Sequence, residues 1–329
     1  MNIKKFFILL LIIRFFNLSV YGDSQVKDKE NKLHTKNLNK DEFAPTTLFT
    51  GNTYFTFGTV RSNGKKDYFE ITYENKFKLN TSFNGSDKLL AIFESGNALD
   101  SPLNLDLQSS KGDAIKISTL LYEFKISDAI NGVIGPKMFG YNGLAGKSTA
   151  YNERIAILDG SNFTTTSGIG PGLGISKRNK NGSNASIKLG FNNSKMNNQS
   201  LHLISQIGLT KKNFGGTITT NINEDFNAFG LAAYVKPKIL PSISFSIEQK
   251  KDNKSKKIHN WILGLQKNLD SYNYGIAIGT YNSQENIAYE NWIEIFISDK
   301  FKLIPVIFIK DNKHTKDELG IALNTKFSY

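Results

Sequence analysis

Cysteine is absent from the 329 residues. That removes any disulfide framework, any thiolate metal site and any lipid-modified amino-terminal cysteine, and leaves thiols silent about compartment. Histidine is nearly as scarce. His34, His202, His259 and His314 are the whole set, and no two stand at metal-ligand spacing. Long apolar runs are missing too. The run Phe6–Ile13 stops at Arg14, well short of the ~20 apolar residues that a spanning helix needs. From Phe43 onward no stretch carries a convincing amphipathic helical period. A mean hydropathy of -0.32 excludes a helical membrane bundle. It does not exclude a β-barrel, whose apolar half is hidden in alternation.

Acidic residues are in deficit, 29 against 41 Lys and Arg, for a net charge of +12. Lys4, Lys5 and Arg14, with no acid, lie in residues 1–22, so loss of that segment would leave +9. A basic chain favours nucleic acid, anionic lipid or anionic solutes. Here the lysines are dispersed among many Asn and Ile, as an AT-rich genome would write them. Only Lys250–Lys257 is dense. It lies between two strand-like runs and reads as an exposed hairpin loop, not as a nucleic-acid site.

What is present begins with an export signal. Basic Asn2-Ile-Lys-Lys5, the apolar Phe6–Ile13 and a shorter-chain end, with Val20 and Gly22 before a cut at Asp23, make residues 1–22 a secretory signal peptide. Residues 23–42 are polar and charged and cannot bury a core, so a flexible periplasmic segment is expected there. Residues 43–329 alternate. Leu319, Ile321, Leu323, Thr325, Phe327 and Tyr329 share one face of a strand; Gly320, Ala322, Asn324, Lys326 and Ser328 share the other. Similar runs recur. Phe69, Ile71 and Tyr73 lead to Phe77 and Leu79, followed by Leu89, Ala91 and Phe93. Ile115, Ile117, Thr119 and Leu121 come next, then Ala185, Ile187, Leu189 and Phe191. The series continues through Phe229, Leu231, Ala233 and Val235, Ile243, Phe245 and Ile247, and Trp261, Leu263 and Leu265. Asn84-Gly85, Asn131-Gly132, Asn181-Gly182 and Asn223–Asp225 read as the turns between them.

A spanning strand with its share of loop takes ~18–20 residues, so residues 43–329 predict an all-β, transmembrane antiparallel barrel of about 14–16 strands. The faces opposite the apolar ones are small and polar (Ser, Asn, Gly, Gln), as a wet lumen requires. A soluble multi-strand sandwich is the competing architecture. The expected location is the outer membrane, in contact with its lipids.

Four stretches carry a family resemblance. They are Glu42-Phe-Ala-Pro-Thr-Thr-Leu-Phe-Thr-Gly51, Asn260-Trp-Ile-Leu-Gly-Leu265, Trp292–Asp311 with Leu303-Ile-Pro-Val-Ile-Phe308, and the terminus Leu319–Tyr329. Together they resemble the cyanobacterial outer-membrane porins of the carbohydrate-selective or iron-uptake type. The chain departs from those in having only a short polar stretch where they carry a surface-layer-homology domain and coiled coil. The resemblance implies a water-filled channel for passive diffusion of small hydrophilic solutes, carbohydrates or inorganic ions, a homotrimer, no enzyme activity and no cofactor. It also accommodates Pro305, which a strand tolerates at a rim or bulge. The alternative function is a structural barrel or adhesin with a closed lumen.

Gly168-Ile-Gly-Pro-Gly-Leu-Gly174 is the most unusual internal motif. No helix follows it, as a nucleotide loop would require. Glycine at Gly168, Gly170, Gly172 and Gly174 instead clears one strand face for close approach of another segment. The preceding Pro136–Phe163 lacks alternation and is expected to fold into the lumen against that face. Lys147, Glu153 and Arg154 would then stand at the constriction, the two cations giving a weak anion preference. The competing reading is an external loop. His202 alternates with Leu201 and Leu203 and should face the lumen, and no Ser, His and acid stand in a nucleophile context. Phe327 and Tyr329 match the terminal aromatic signal that the barrel-assembly machinery reads. Deleting Phe327–Tyr329 should therefore abolish the heat-modifiable gel band of the folded barrel; a normal band from the truncated chain would remove the assembly role.

Overall fold

The computed structural model describes residues 46–62, 69–98, 101, 103, 112–155, 158, 160–161, 163–165, 169–192, 200–253, 256–281, 283–311 and 317–329. The signal segment, the polar segment, His34, Gly168 and His314 lie outside them. The described residues form sixteen strands: β1 Thr46–Ser62, β2 Phe69–Ser82, β3 Lys88–Gly96, β4 Gly112–Lys125, β5 Ile130–Met138 and β6 Gly170–Arg178. They continue as β7 Ser183–Asn192, β8 Ser200–Thr210, β9 Phe214–Ile222, β10 Phe226–Val235 and β11 Ser242–Asp252. The last are β12 Lys257–Asn268, β13 Tyr272–Tyr281, β14 Ser283–Phe296, β15 Phe301–Asp311 and β16 Glu318–Ser328. Each pairs antiparallel with its sequence neighbours, and β16 returns to β1 to close the barrel. The expected 14–16 strands are thus 16.

Closure runs from Asn52↔Ser328 to Ser62↔Glu318. Gly51 and Tyr329 add a reciprocal pair of backbone hydrogen bonds beyond it, 2.8 and 3.0 Å. Tyr329 lies over Gly51, where no side chain would fit, and Phe327 stacks on Phe301 at 4.6 Å. The terminal aromatics therefore seal the seam as well as ending the chain.

Alternation sorts the faces as a membrane barrel demands. Ile187, Leu189, Leu231, Phe245, Leu263 and Ile321 are exposed on the outside, while Ser186, Lys188, Ser244, Ser246, Gln266 and Asn324 are buried on the inside. Two readings of the sequence are corrected. Ile115, Ile117, Thr119 and Leu121 do not share a face: the β3–β4 register shifts between Ile92↔Thr119 and Phe93↔Ile117, so Ile117 is 39% exposed and Leu121 1%. A one-residue bulge reverses every side chain beyond it. Asn131-Gly132 is not a turn but part of β5, with the Phe124 ring filling the place of a side chain at Gly132. Asn181-Gly182 does turn, with Gly182 at φ 92°, in the left-handed region that glycine enters without penalty. Pro305 lies within β15, where the β14–β15 ladder skips from Trp292↔Val306 to Ile295↔Leu303. The missing N–H falls in that gap.

Short turns collect at the end that holds the chain's last residue: 83–87, 126–129, 179–182, 211–213, 269–271 and 297–300. The opposite end carries the long connections 97–111 and 139–169 beside the short turns 223–225 and 253–256. In membrane barrels the short turns are periplasmic. The 83–87 turn is stapled by Asp87, whose Oδ1 accepts from Ser82 Oγ, Phe83 N and Asn84 N at 2.8–3.0 Å. Its Oδ2 accepts from Tyr122 at 2.8 Å. Burial alone would raise the Asp87 pKa, but the bonds from Tyr122, Asn84, Ser82 and Phe83 outweigh it and lower it to about 2. A depressed carboxylate pKa contributes stability above its unfolded value, and that contribution is lost as pH falls toward 2. Asp87→Asn should lower the gel-unfolding temperature at neutral pH. The gap to the parent should close on acidification toward pH 2, and a pH-independent gap would refute the charge-based account.

Candidate pore constriction

Sixteen strands enclose an interior too wide for wall side chains alone to fill. The connection between β5 and β6 enters that space. Its extended part is held by inward-facing side chains of successive strands: Ser186 Oγ on β7 accepts Ala145 N at 2.6 Å and Gln206 Oε1 on β8 accepts Gly146 N at 2.8 Å. Ser244 Oγ on β11 accepts Ala150 N at 2.9 Å, and Gln266 Oε1 on β12 accepts Asn152 N at 2.8 Å. The small polar inward faces thus serve as acceptors for a second layer of backbone, which water alone would otherwise have to satisfy.

Two carboxylates make the firmest attachments. Glu290 on β14 is 2% exposed. It accepts Arg154 N at 3.0–3.1 Å, Ile155 N at 2.9 Å and the Tyr151 hydroxyl at 2.6 Å. On the return leg, Glu248 on β11 accepts Phe163 N and Thr164 N, both at 3.0 Å, and Thr164 Oγ1 at 2.5 Å. Hydrogen bonds contribute about 0.5–1.5 kcal/mol each, and about 1.5–3 kcal/mol where the acceptor is ionised. Each carboxylate also removes a buried N–H pair that would otherwise be unsatisfied.

Apolar packing completes the anchor. Tyr151, Ile155 and Leu158 from the loop are buried with Trp292, Ile304 and Phe308 of the β14–β15 inner wall, and Leu103 from the β3–β4 connection joins them. Burying an aliphatic side chain stabilises by about 1.5–3 kcal/mol. Room is made by glycines on neighbouring strands: Tyr151 covers Gly264 and Trp292 covers Gly275. Trp292 Nε1 donates to the Tyr151 hydroxyl at 3.0 Å.

The residues singled out from the sequence fall in different places. Lys147 is exposed, with the charges of Lys236 and Glu153 in its vicinity. Glu153 is half-buried. Arg154 is 6% exposed and lies 4.2 Å over the Trp292 ring, a cation–π contact, within electrostatic reach of Glu294. Gly170, Gly172 and Gly174 face inward on β6 and are buried. What a side chain at Gly172 would meet is β7: Leu189 O at 2.9 Å, Gly190 Cα and Lys188 Cε at 3.5 Å. The glycine face is thus spanned by Lys188, whose ammonium donates to the Phe139 carbonyl at the base of the loop, while the loop itself runs on along β7–β14. His202 is buried on the inner face, engaged with Ser200, Asn221 and Asn223. Among the described residues no group of three His, Asp or Glu gathers as metal ligands.

Sequence reasoning missed Glu248, Glu290, Lys188 and Trp292 as loop anchors. It also missed the inner-wall charges of the remaining arc. Lys302 on β15 meets Glu294 at 3.4 Å; Lys76 on β2 meets Glu94 at 2.9 Å and Glu74 at 3.7 Å. Lys88 on β3 meets Glu123 at 3.0 Å. Lys78 and Lys326 make no ion pair among the described residues.

No protein-family model matches the chain, and no curated protein matches it in sequence. Solved structures do match. The anion-selective porin from Comamonas acidovorans superposes with a TM-score of 0.64 at 10% identity, over 87% of this chain and 100% of that one. Salmonella typhi OmpF, solved as a complex with daunomycin, gives 0.61 at 11% identity over 85% and 97%. A mutant form of the Rh. blastica porin gives 0.53 at 10% identity over 86% and 100%. At such identities the likeness is one of fold: this chain has the closed barrel of bacterial outer-membrane porins.

Replacing Glu290 with Gln keeps the shape and puts an amide NH2 in place of one of the two oxygens that accept Arg154 N, Ile155 N and the Tyr151 hydroxyl. E290Q should raise mean channel conductance and current noise, and E248Q should do so less, having no buried tyrosine partner. Conductance and noise identical to the parent in both would show that these carboxylates do not hold the loop.

Proposed function

We propose that the chain is an outer-membrane porin that passes small hydrophilic solutes or inorganic ions by diffusion, through a lumen narrowed by the β5–β6 loop. The observation that carries this is the loop itself, seated inside the barrel and fastened to its wall by Glu248 and Glu290. Residues 1–22 direct export and 23–42 form a periplasmic extension. Residues 43–329 are inserted by the barrel-assembly machinery, which reads Phe327 and Tyr329, and three copies associate. The resemblance to the cyanobacterial carbohydrate-selective porins favours sugars among the solutes and rests on the four stretches quoted above. Within the constriction, exposed Lys147 meets the solute, while Arg154, covered by Trp292, fixes the loop and adds to the positive potential. With the lysines of β2, β15 and β16, this favours anions.

One observation supports a second reading, a barrel with a closed lumen. The inner wall from β12 through β16 to β1 carries an apolar cluster, and inward-facing Thr56, Glu74 and Asn324 beside it are each 0% exposed. That arc is packed rather than wet, so conduction has to use the remaining cross-section.

Single-channel recording of the refolded protein across a salt gradient separates the two. Stepwise openings with a reversal potential on the anion side are expected, and Lys147→Glu should move that potential toward cations. Silence from a heat-modifiable barrel would leave the closed-lumen reading standing.

A further inference from the structure

The dense lysine segment is divided by its register: Lys250 faces inward over the Phe163 and Phe226 rings, while Lys251 and Lys257 face outward. Along β11 the outward face reads Ile243, Phe245, Ile247, Gln249, Lys251, and along β12 Leu265, Leu263, Trp261, His259, Lys257. The register sets Lys251 directly opposite Lys257 and Gln249 opposite His259. Both lysines are exposed. Facing pairs on one side of a sheet have Cβ atoms about 4.5–5.5 Å apart, and like charges there repel. Neither lysine has an ion-pair partner among the described residues. The adjacent Asp252 points to the inner face and its Oδ1 accepts Lys256 N at 2.8 Å.

The height of this pair is also informative. Outward residues of β12 run from Lys257 through Trp261, Leu263 and Leu265 to Lys267. At ~3.4 Å per residue that is ~34 Å along the strand, or ~26 Å along the membrane normal at a tilt of ~40°, close to the ~25 Å apolar band of such barrels. Lys257 and Lys251 therefore sit at the headgroup level. They do so at the end that carries the long connections 97–111 and 139–169, which is the outer leaflet.

We propose that Lys251 and Lys257 form a binding site for the phosphate group of an outer-leaflet lipid, with Gln249, His259 and Asn227, which faces Lys251 from β10, as flanking polar contacts. A phosphate bridging the two ammonium groups turns a repulsive cross-strand pair into two charge-assisted hydrogen bonds. The site rests on the outer-membrane placement of the barrel but not on its lumen being open.

The test is native mass spectrometry of the refolded mature chain, released from detergent micelles titrated with bisphosphorylated lipid A. The parent should retain the lipid. Lys251→Gln with Lys257→Gln should bind it about thirtyfold more weakly, about 2 kcal/mol, as expected for two lysines at an anionic surface. Lys267→Gln, at the other end of the band, should bind like the parent, and millimolar inorganic phosphate should not compete. Equal retention by the double variant would overturn the site, and competition by inorganic phosphate would reduce it to a free-anion site and overturn the lipid assignment. If the double variant does not fold, Lys257→Gln alone must show a loss of roughly fivefold. Conductance reports separately: a parent that binds lipid without conducting contradicts the channel, not the lipid site.

Discussion

A sheet placed in hydrocarbon has no permissible edge, because every N–H and C=O left unpaired there costs several kcal/mol. The β1–β16 seam is where this chain meets that constraint, and the remaining architecture follows from it. Pairing from Gly51↔Tyr329 to Ser62↔Glu318 uses the first strand to its end and the last to its final residue. Closing the sheet at sixteen strands fixes a circumference, and that circumference leaves an interior that wall side chains cannot fill. Something else has to occupy it, either water or another piece of the chain.

The β5–β6 connection takes that place and carries the same problem inward. Its turns bond within themselves, but from 145 to 155 its backbone belongs to no sheet, so those N–H groups have no ladder. The wall supplies substitutes one by one: Ser186, Gln206, Ser244 and Gln266, then the two carboxylates where consecutive N–H groups point the same way. A carboxylate suits such a pair because its two oxygens accept without needing a donor in return. Apolar packing of Tyr151, Ile155 and Leu158 then excludes water from these bonds, which strengthens them in the lower local dielectric.

The barrel was legible in the sequence because period two survives wherever one face meets lipid. Leu319–Tyr329 is the plainest instance, and its outward set is the one observed. The reading failed where the ladder slips: nothing in Ile115–Leu121 marks the bulge that sends Leu121 inward. The loop anchors were illegible for another reason. Glu248 and Glu290 look like any lumen-facing polar residue, and only the fold brings Thr164 and Ile155, 84 and 135 residues away, against them. One signal was available. Leu303–Phe308 is apolar at every position, and a strand apolar on both faces is buried on both. That run, ending beside Trp292, marks the inner wall on which the loop packs.

The lumen is consequently two-sided. Strands β7–β14 bear the loop, and the apolar cluster extends that dry region across β15 to Ala322 on β16 and Val60 on β1. Toward the short-turn end, the inner faces of β15, β16, β2 and β3 hold Lys302, Lys326, Lys76, Lys78 and Lys88, of which three are matched by glutamates and two are not. A dry, low-dielectric flank beside a charged one concentrates field lines in the water between them. In a conducting lumen the unmatched Lys78 and Lys326 would therefore act on an ion more strongly than the same charges in an open pore. The buried Tyr151 and Trp292, which touch no solute, thus help to set the potential of the channel by keeping water out of half of it.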